Sequence, residues 1–139
     1  MLPIAAEDLL PQKFPFRMVD ALIELDDSSM KSMFTIHADN VMIENEEFTV
    51  GGMLENMAQT MAAASGYLQS SLGNEPPRGY IGAIKKVKIN TLPKVGDQIQ
   101  THATTLHTIG DASIVEAKIF LGEDLLASAE LTIFVATKN

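Results

Sequence analysis

The stretch that decides the fold is "GGMLENMAQTMAAASGYL", which runs from Gly51 to Leu68. Small and apolar residues occupy almost all of it, and the polar residues of its first turns are Glu55, Asn56 and Gln59. A helix that is apolar on every side is typically buried, and a carboxylate on such a helix is costly unless it is neutralised or used. We therefore predict a buried central helix and treat Glu55 as a candidate functional residue.

Extended runs flank this helix on both sides. Before it, "MVDALIELDD" and "MKSMFTIHA" surround a turn at Asp26–Ser29 and predict a hairpin, and "DNVMIENEEFTV" predicts a loop. After it, the Gly/Pro turn region "SLGNEPPRG" leads to four runs, "YIGAIKKVKIN", "DQIQTHATTLHTI", "ASIVEAKIFL" and "LLASAELTIFVA". Short glycine-containing loops between such runs indicate antiparallel hairpins. The pattern predicts an α+β domain in which one sheet covers one long helix.

Length and composition restrict the class of protein. The 139 residues predict a single domain spanning 1–139. The absence of cysteine excludes disulfides, thiolate metal sites and a cysteine nucleophile. The first residues, "MLPIAAEDLL", do not resemble a secretory signal, and polar residues interrupt the apolar run at 51–72. We therefore predict a cytoplasmic protein that does not span or bind a membrane.

The charge is negative overall but unevenly distributed. The net charge of −8 argues against nucleic-acid binding, which needs a basic surface. One segment, residues 78–94, contains five of the ten Lys and Arg residues and no Asp or Glu, so it carries +5 while the remainder carries −13. This basic segment is either a solvated strand face or a docking site for an acidic partner.

Three short motifs occur in order along the chain, "LLPQKFPFRMVD", "LENMAQTMA" and "PKVGDQI". They resemble the N-terminal stretch, the Glu-x-Met-Ala-Gln helix motif and the Pro-Gly-Asp turn of the hotdog-fold β-hydroxyacyl-acyl carrier protein dehydratases. The similarity spans residues 9–136. It implies a hotdog fold, in which a highly curved antiparallel sheet wraps a long central helix. The stretch "NVMIENEEF" is closer to a divergent branch linked to polyene-type pigment pathways.

The resemblance also implies roles for individual residues. Glu55 matches the family's catalytic carboxylate, and Gln59 matches its partner on the helix. The family's catalytic histidine has no counterpart, because the matching position, counted back from Glu55 without gaps, is Val41. Asn40 beside it is a candidate for binding the substrate hydroxyl, although an amide is no proton-transfer group. Phe48 matches the phenylalanine that precedes the family's helix, which implies that the loop before the helix resembles the family's loop. The acid–base pair of glutamate and histidine is nevertheless incomplete.

Other groups complete the expected site. Backbone N–H groups at Gly51 and Gly52 are expected to face the thioester carbonyl, because a helix N-terminus has free donors and a positive dipole end. His37, His102 and His107 lack metal-ligand spacing. His37 should also point away from the buried face of its strand, which makes it a poor substitute for the missing histidine. We predict no metal and no cofactor.

The leading hypothesis is a 3-hydroxyacyl-acyl carrier protein dehydratase-like protein acting on a phosphopantetheine-linked acyl chain near Glu55. The resemblance implies a homodimer or higher homo-oligomer with the active site between subunits, and Lys86 and Lys88 would dock the acidic carrier protein. Two alternatives remain open. One is a hotdog acyl thioesterase that uses Glu55 as base or nucleophile. The other is a non-catalytic subunit that binds acyl carrier protein and completes a heterodimer with an active dehydratase.

Overall fold

The computed structural model describes residues 2–73 and 79–135. Within these residues lie one α-helix, a short 3-10 turn (Ala6–Asp8) and nine strands. The helix α1 spans Val50–Ser71, and the strands are β1 (Ile4–Ala5), β2 (Ala21–Leu25), β3 (Ser29–Thr35), β4 (Ile43–Glu44), β5 (Glu47–Phe48), β6 (Gly79–Ile89), β7 (Gln98–Ile109), β8 (Ala112–Leu121) and β9 (Asp124–Val135).

Seven strands form one antiparallel sheet in the order β1-β2-β3-β7-β8-β9-β6. The helix α1 packs across this sheet and contacts β2, β3 and β6 to β9. Met53 and Met57 of the helix are fully buried in the same core as Ile99, Ile119 and Leu131 of the strands. The predicted arrangement, one long helix covered by an antiparallel sheet, is confirmed.

The helix begins one residue before its predicted start. Thr49 caps it, with its hydroxyl accepting a hydrogen bond from the Gly52 N–H at 3.1 Å. Near the other end, an ideal Cβ built on Gly66 would lie 2.5 Å from the carbonyl oxygen of Leu9. Only glycine fits there, so the N-terminal segment can approach the helix backbone closely.

The predicted hairpins are present with small changes in their ends. Asp26–Ser29 turns between β2 and β3, and the Asp26 N–H donates to the Ser29 carbonyl at 2.9 Å. Gly110 and Gly122 occupy the two later turns with φ of 59° each, a conformation that glycine adopts without strain. Arg78 of the basic segment, Pro76, Pro77 and the last predicted strand residue, Ala136, lie outside the described residues.

The segment "DNVMIENEEFTV" differs from the predicted loop. It contains the hairpin β4–β5, whose turn residues Asn45 and Glu46 have φ of 52° and 63°. These are the positive values that a tight two-residue hairpin turn requires. Sequence reasoning missed the hairpin because glutamate is an unusual residue for such a turn and each strand has only two residues.

The strand β6 is an edge of the sheet and exposes both apolar side chains and lysines. It pairs with β9 alone, and its second edge has no partner among residues 2–73 and 79–135. The exposed apolar side chains are Tyr80, Ile81, Ile84 and Val87, and the exposed lysines are Lys85, Lys86 and Lys88. The unpaired N–H and C=O groups of such an edge can pair with another chain. In the described part of the chain, no helix is both long and apolar enough to cross a membrane.

Candidate active site

Glu55 and Gln59 lie on the same face of α1, one turn apart. The Gln59 side-chain amide donates from Nε2 to Glu55 Oε1 at 3.2 Å. Gln59 is buried, with 2% of its surface exposed, while Glu55 is half-buried. The four-residue spacing on the helix brings the two side chains within reach of each other. The hydrogen bond fixes the direction in which the carboxylate of Glu55 points.

Gln59 also binds the N-terminal segment of the chain. Its Nε2 donates to the carbonyl of Phe16 at 2.9 Å, and its Oε1 accepts from the N–H of Met18 at 2.6 Å. Both N–H groups at Nε2 and the oxygen Oε1 of this buried amide therefore have hydrogen-bond partners. Gln59 holds the segment 16–18 against the helix at the level of Glu55.

A buried polar network, missed from the sequence, adjoins Gln59 at Met18. Asn56 donates from Nδ2 to the carbonyl of Met18 at 2.7 Å and accepts at Oδ1 from the hydroxyl of Thr101. Thr60 donates to the carbonyl of Asn56 at 2.8 Å and hydrogen-bonds Ser32 at 2.7 Å. All four side chains have 0% exposure. In the sequence, the signal for this network was a pair of polar residues, Asn56 and Thr60, four positions apart on an apolar helix.

A groove with a volume of about 160 Å³ runs along α1 beside Glu55. Its helix wall runs from Glu55 to Ser65, a rise of about 15 Å along the helix. The opposite wall comes from the edge strand β6 and from β9. The groove is lined by Gln12, Glu55, Ala58, Gln59, Met61, Ala62, Ser65, Tyr80, Ile81 and Ile133. Most of this surface is apolar, with the carboxylate of Glu55 toward the end nearest the helix N-terminus.

The structure changes the expectation for the Gly52 N–H and shows how Phe48 packs. The Gly52 N–H is not free for a thioester, because it donates to the Thr49 cap. Gly52 instead allows close packing, since an ideal Cβ there would lie 2.5 Å from the ring of Phe48. Phe48 is fully buried in the core beside Phe34 and does not line the groove. Gly51 is exposed in the first turn, where helix geometry provides no partner for its N–H.

Asn40 lies outside the groove but contacts a residue that Gln59 binds. Its Oδ1 accepts from the Met42 N–H at 2.7 Å, and its Nδ2 lies 3.3 Å from the sulfur of Met18. It lines a second pocket of about 220 Å³ together with His37. Val41, the position that matches the family's histidine, is exposed. Asn40 therefore supports the loop before the helix, and substrate binding by Asn40 stays a prediction.

None of the three histidines lines the groove beside Glu55. His37 and His107 are exposed, and His102 lies on the outer face of β7, stacked on Phe120 with ring centroids 4.6 Å apart. Burial lowers the pKa of His102, and the charge of Lys31 lowers it further. Among the described residues, no cluster of three or more His, Asp or Glu residues could hold a metal ion.

The two lysines expected to dock a carrier protein are both exposed on β6. Lys86 lies at an irregularity between β6 and β9, with φ of 54°, and its Nζ lies 3.4 Å from Glu130. This ion pair is on the surface and leaves three-quarters of the Lys86 side chain exposed. Lys88 is exposed two residues further along the strand. Both side chains are accessible to a partner.

Comparisons with known proteins give a consistent result. The chain is 28% identical over 138 residues to a 3-hydroxyacyl-[acyl-carrier-protein] dehydratase FabZ from Natranaerobius thermophilus, covering 95% of each chain. It is 29% identical over 135 residues to the Lactococcus lactis FabZ, covering 90% of this chain and 88% of that one.

Solved structures show the same fold. The dehydratase heterocomplex ApeI:P from Xenorhabdus doucetiae superposes with a TM-score of 0.87 at 17% identity, covering 99% of this chain and 93% of that one. The protein smu.793 from Streptococcus mutans, solved with acetyl CoA, superposes with a TM-score of 0.66 at 13% identity, covering 85% and 89%. Residues 4–139 match the ApeP-like family, described as ApeP dehydratase. The chain therefore has the hotdog fold and belongs to the ApeP-like dehydratase family.

Proposed function

We propose that the chain is one subunit of a 3-hydroxyacyl-acyl carrier protein dehydratase, in which Glu55 performs one of the two proton transfers. The observation that carries this proposal is the geometry of Glu55, whose carboxylate is held by the buried Gln59 at the wall of a mostly apolar groove. The similarity to FabZ dehydratases along nearly the whole chain supports the substrate class.

The reaction requires two groups that transfer protons. One group removes a proton from C2 of the acyl chain, a second delivers a proton to the hydroxyl leaving C3, the C2=C3 double bond forms and water departs. The thioester stays intact. Glu55 supplies one of these groups, and no histidine of the described residues lines the groove. The family's second group is a histidine, so we propose that a neighbouring subunit supplies it.

A different chain suits this role better than a second copy. The groove borders the unpaired edge strand β6, so a neighbour pairing with β6 would also close the groove. A second copy would again present Val41 at the position that matches the family's histidine. A dehydratase subunit that carries the histidine would complete the pair with Glu55. The fold neighbour from Xenorhabdus doucetiae, the dehydratase heterocomplex ApeI:P, supports this arrangement.

The incomplete acid–base pair also favours a second candidate function. If the other subunit supplies both proton-transfer groups, this chain is a non-catalytic subunit that binds the acyl carrier substrate and stabilises the complex. The two candidates differ in one respect only, which is whether the rate of dehydration depends on Glu55. A thioesterase that uses Glu55 is the third candidate, and it differs in its products.

Mass spectrometry of the carrier-bound substrate separates these functions. The chain, alone and mixed with a histidine-bearing dehydratase subunit, would be incubated with 3-hydroxyacyl carrier protein. We expect loss of water from the carrier-bound chain in the mixture, with the enoyl group still attached. Release of a free acid with free carrier thiol would contradict the proposal and identify a thioesterase. No change in the substrate under either condition would contradict it as well.

We also propose that Lys86 and Lys88 contribute to carrier-protein docking. Both are exposed on the basic segment of an otherwise acidic chain, and the edge strand that carries them borders the groove. A Lys86→Ala/Lys88→Ala variant should bind carrier protein more weakly at low salt, with a difference that diminishes at high salt. The matched control is Lys13→Ala/Lys118→Ala, which removes the same charge elsewhere. Equal binding by the two double variants would rule the docking site out.

A further inference from the structure

The segment of residues 12–19 is held against α1 by two side chains of the helix. It contains no helix or strand, and in the described part of the chain its backbone hydrogen-bonds outside the segment only at Phe16 and Met18. Gln59 donates to the Phe16 carbonyl and accepts from the Met18 N–H. Asn56 donates to the Met18 carbonyl at 2.7 Å. Both polar groups of the Met18 backbone are therefore bound by the helix.

The backbone of Met18 decides which way the amide of Gln59 faces. A backbone N–H can only donate, so it requires the oxygen of Gln59 and leaves the NH₂ group at Nε2 to face Glu55. From there Nε2 donates to Glu55 Oε1 at 3.2 Å. A reversed amide would place its oxygen against the carboxylate of Glu55. The hydrogen bond that Glu55 receives thus depends on the position of Met18.

Thr101 of β7 fixes the other amide, that of Asn56. The Met18 carbonyl can only accept, so it requires the Asn56 NH₂ group and leaves the Asn56 oxygen to face Thr101. The Thr101 hydroxyl donates to this oxygen, and both side chains have 0% exposure. Without the hydroxyl, the oxygen would be buried without a donor, and a rotation of the amide toward another donor would break its bond to Met18. A continuous chain of hydrogen bonds therefore leads from β7 to Glu55.

We propose that Thr101 is a positioning residue for Glu55, although it lies on β7 and does not line the groove. Its hydroxyl holds the amide of Asn56, and this amide holds Met18. Gln59 then binds both Met18 and Glu55. This proposal rests on the proposed function, because it takes Glu55 as a proton-transfer group. A misplacement of about 1 Å at such a group slows a reaction by on the order of a hundredfold.

Three substitutions separate positioning from a general loss of packing. Thr101→Val removes the hydroxyl and keeps a β-branched side chain, whereas Thr101→Ser keeps the hydroxyl. Ser32→Ala is the matched control, because it removes a buried hydroxyl that bonds Thr60 in the same polar network but not the side chain of Asn56. Urea denaturation of the full-length chain measures the stability that each variant loses and establishes that each is folded.

The first readout is the side-chain amide signal of Gln59 in a ¹⁵N NMR spectrum, which is assigned by its loss in Gln59→Met. We expect Thr101→Val to shift this signal, because the amide loses its fixed partner at Met18. Thr101→Ser and Ser32→Ala should leave the signal at its wild-type position. An unchanged signal in Thr101→Val, or an equal shift in Ser32→Ala, would overturn the proposal.

The second readout is single-turnover dehydration by the reconstituted complex. Thr101→Val should slow it by about 10-fold to 100-fold at saturating substrate, with the half-saturating concentration unchanged because Thr101 does not line the groove. Thr101→Ser should restore the rate, and Ser32→Ala should retain it. An equal decrease in Ser32→Ala at equal loss of stability would assign the effect to packing and overturn the proposal. The Gln59 signal is read without turnover, so a wild-type rate that does not depend on Glu55 would count against the proposed function alone.

Discussion

At the scale of single residues, Glu55 and Gln59 were both identified from the sequence, and the structure joins them by a hydrogen bond. The bond can form because residues four apart on a helix share a face. The packing of Phe48 and the hydrogen bond of the Gly52 N–H were not predicted, for a physical reason. Sequence spacing gives the position of a glycine in the first turn, but it does not reveal that Thr49 uses the Gly52 N–H. It also does not reveal that the ring of Phe48 packs on Gly52.

The two neighbouring glycines should respond differently to alanine. In Gly52→Ala, the new Cβ would lie 2.5 Å from the fully buried ring of Phe48, so we expect a loss of about 1–3 kcal/mol in the free energy of unfolding. Gly51→Ala is the matched control, because its Cβ meets only the flexible end of Met42 at 3.1 Å. It should be unchanged or stabilised by up to about 1 kcal/mol. Urea denaturation measures both, and equal effects would contradict this packing role for Gly52.

At the scale of elements, the long helix and the later hairpins were predictable from periodicity and turn residues. The short hairpin β4–β5 was not, because its pairing depends on contacts with a distant loop. The Phe48 N–H donates to the Pro93 carbonyl at 2.8 Å, and the Val95 N–H donates to the Glu46 carbonyl at 3.0 Å. The polar network from Asn56 to Ser32 also joins residues far apart in sequence, and it connects the helix to β3 and β7.

The link between the helix and β3 can be measured with a double-mutant cycle. Thr60 donates to the Asn56 carbonyl, so its oxygen accepts from the buried hydroxyl of Ser32. Thr60→Val and Ser32→Ala should each reduce the free energy of unfolding by about 1–3 kcal/mol, because each leaves a buried group unpaired. The double variant should lose less than the sum of the two, with a coupling of about 0.5–3 kcal/mol. Strict additivity in urea denaturation would contradict this contact.

The β2–β3 turn should make stability depend on pH. Hydrogen bonds from the Ser28 N–H, the Ser29 hydroxyl and the Ser29 N–H lower the pKa of Asp26 below its ordinary value of 3.8. Because the folded-state pKa is the lower one, the stabilisation is present above 3.8 and is lost as the pH falls through the folded-state pKa. Asp26→Asn should be less stable than the wild type at neutral pH.

This stability difference should shrink as the pH is lowered below 3.8. Thermal unfolding of the wild type and Asp26→Asn across acidic pH measures it. Asp27→Asn, an exposed neighbour in the same turn, corrects for the change in net charge. A difference that is constant with pH would show that the carboxylate of Asp26 contributes nothing specific.

At the scale of the whole molecule, the sequence predicted the architecture better than the site. The fold depends on apolar periodicity and on short turns, and both features are local in the sequence. The groove is assembled from the N-terminal segment, the helix and two late strands. The position of Gln12 in its wall could therefore not be predicted from the sequence. No histidine of the described residues lines the groove, and the unpaired edge of β6 offers a surface to which another subunit could attach.

The most direct test of the central claim is the effect of Glu55→Gln on the rate of dehydration in the reconstituted complex. Single-turnover loss of water from 3-hydroxyacyl carrier protein would be followed for the wild type, for Glu55→Gln and for Glu123→Gln, which alters an exposed glutamate in the β8–β9 turn. Under the proposal that Glu55 transfers a proton, we predict a decrease of about 10²–10⁴-fold for Glu55→Gln alone. An unchanged rate would contradict the claim and leave this chain as the non-catalytic subunit.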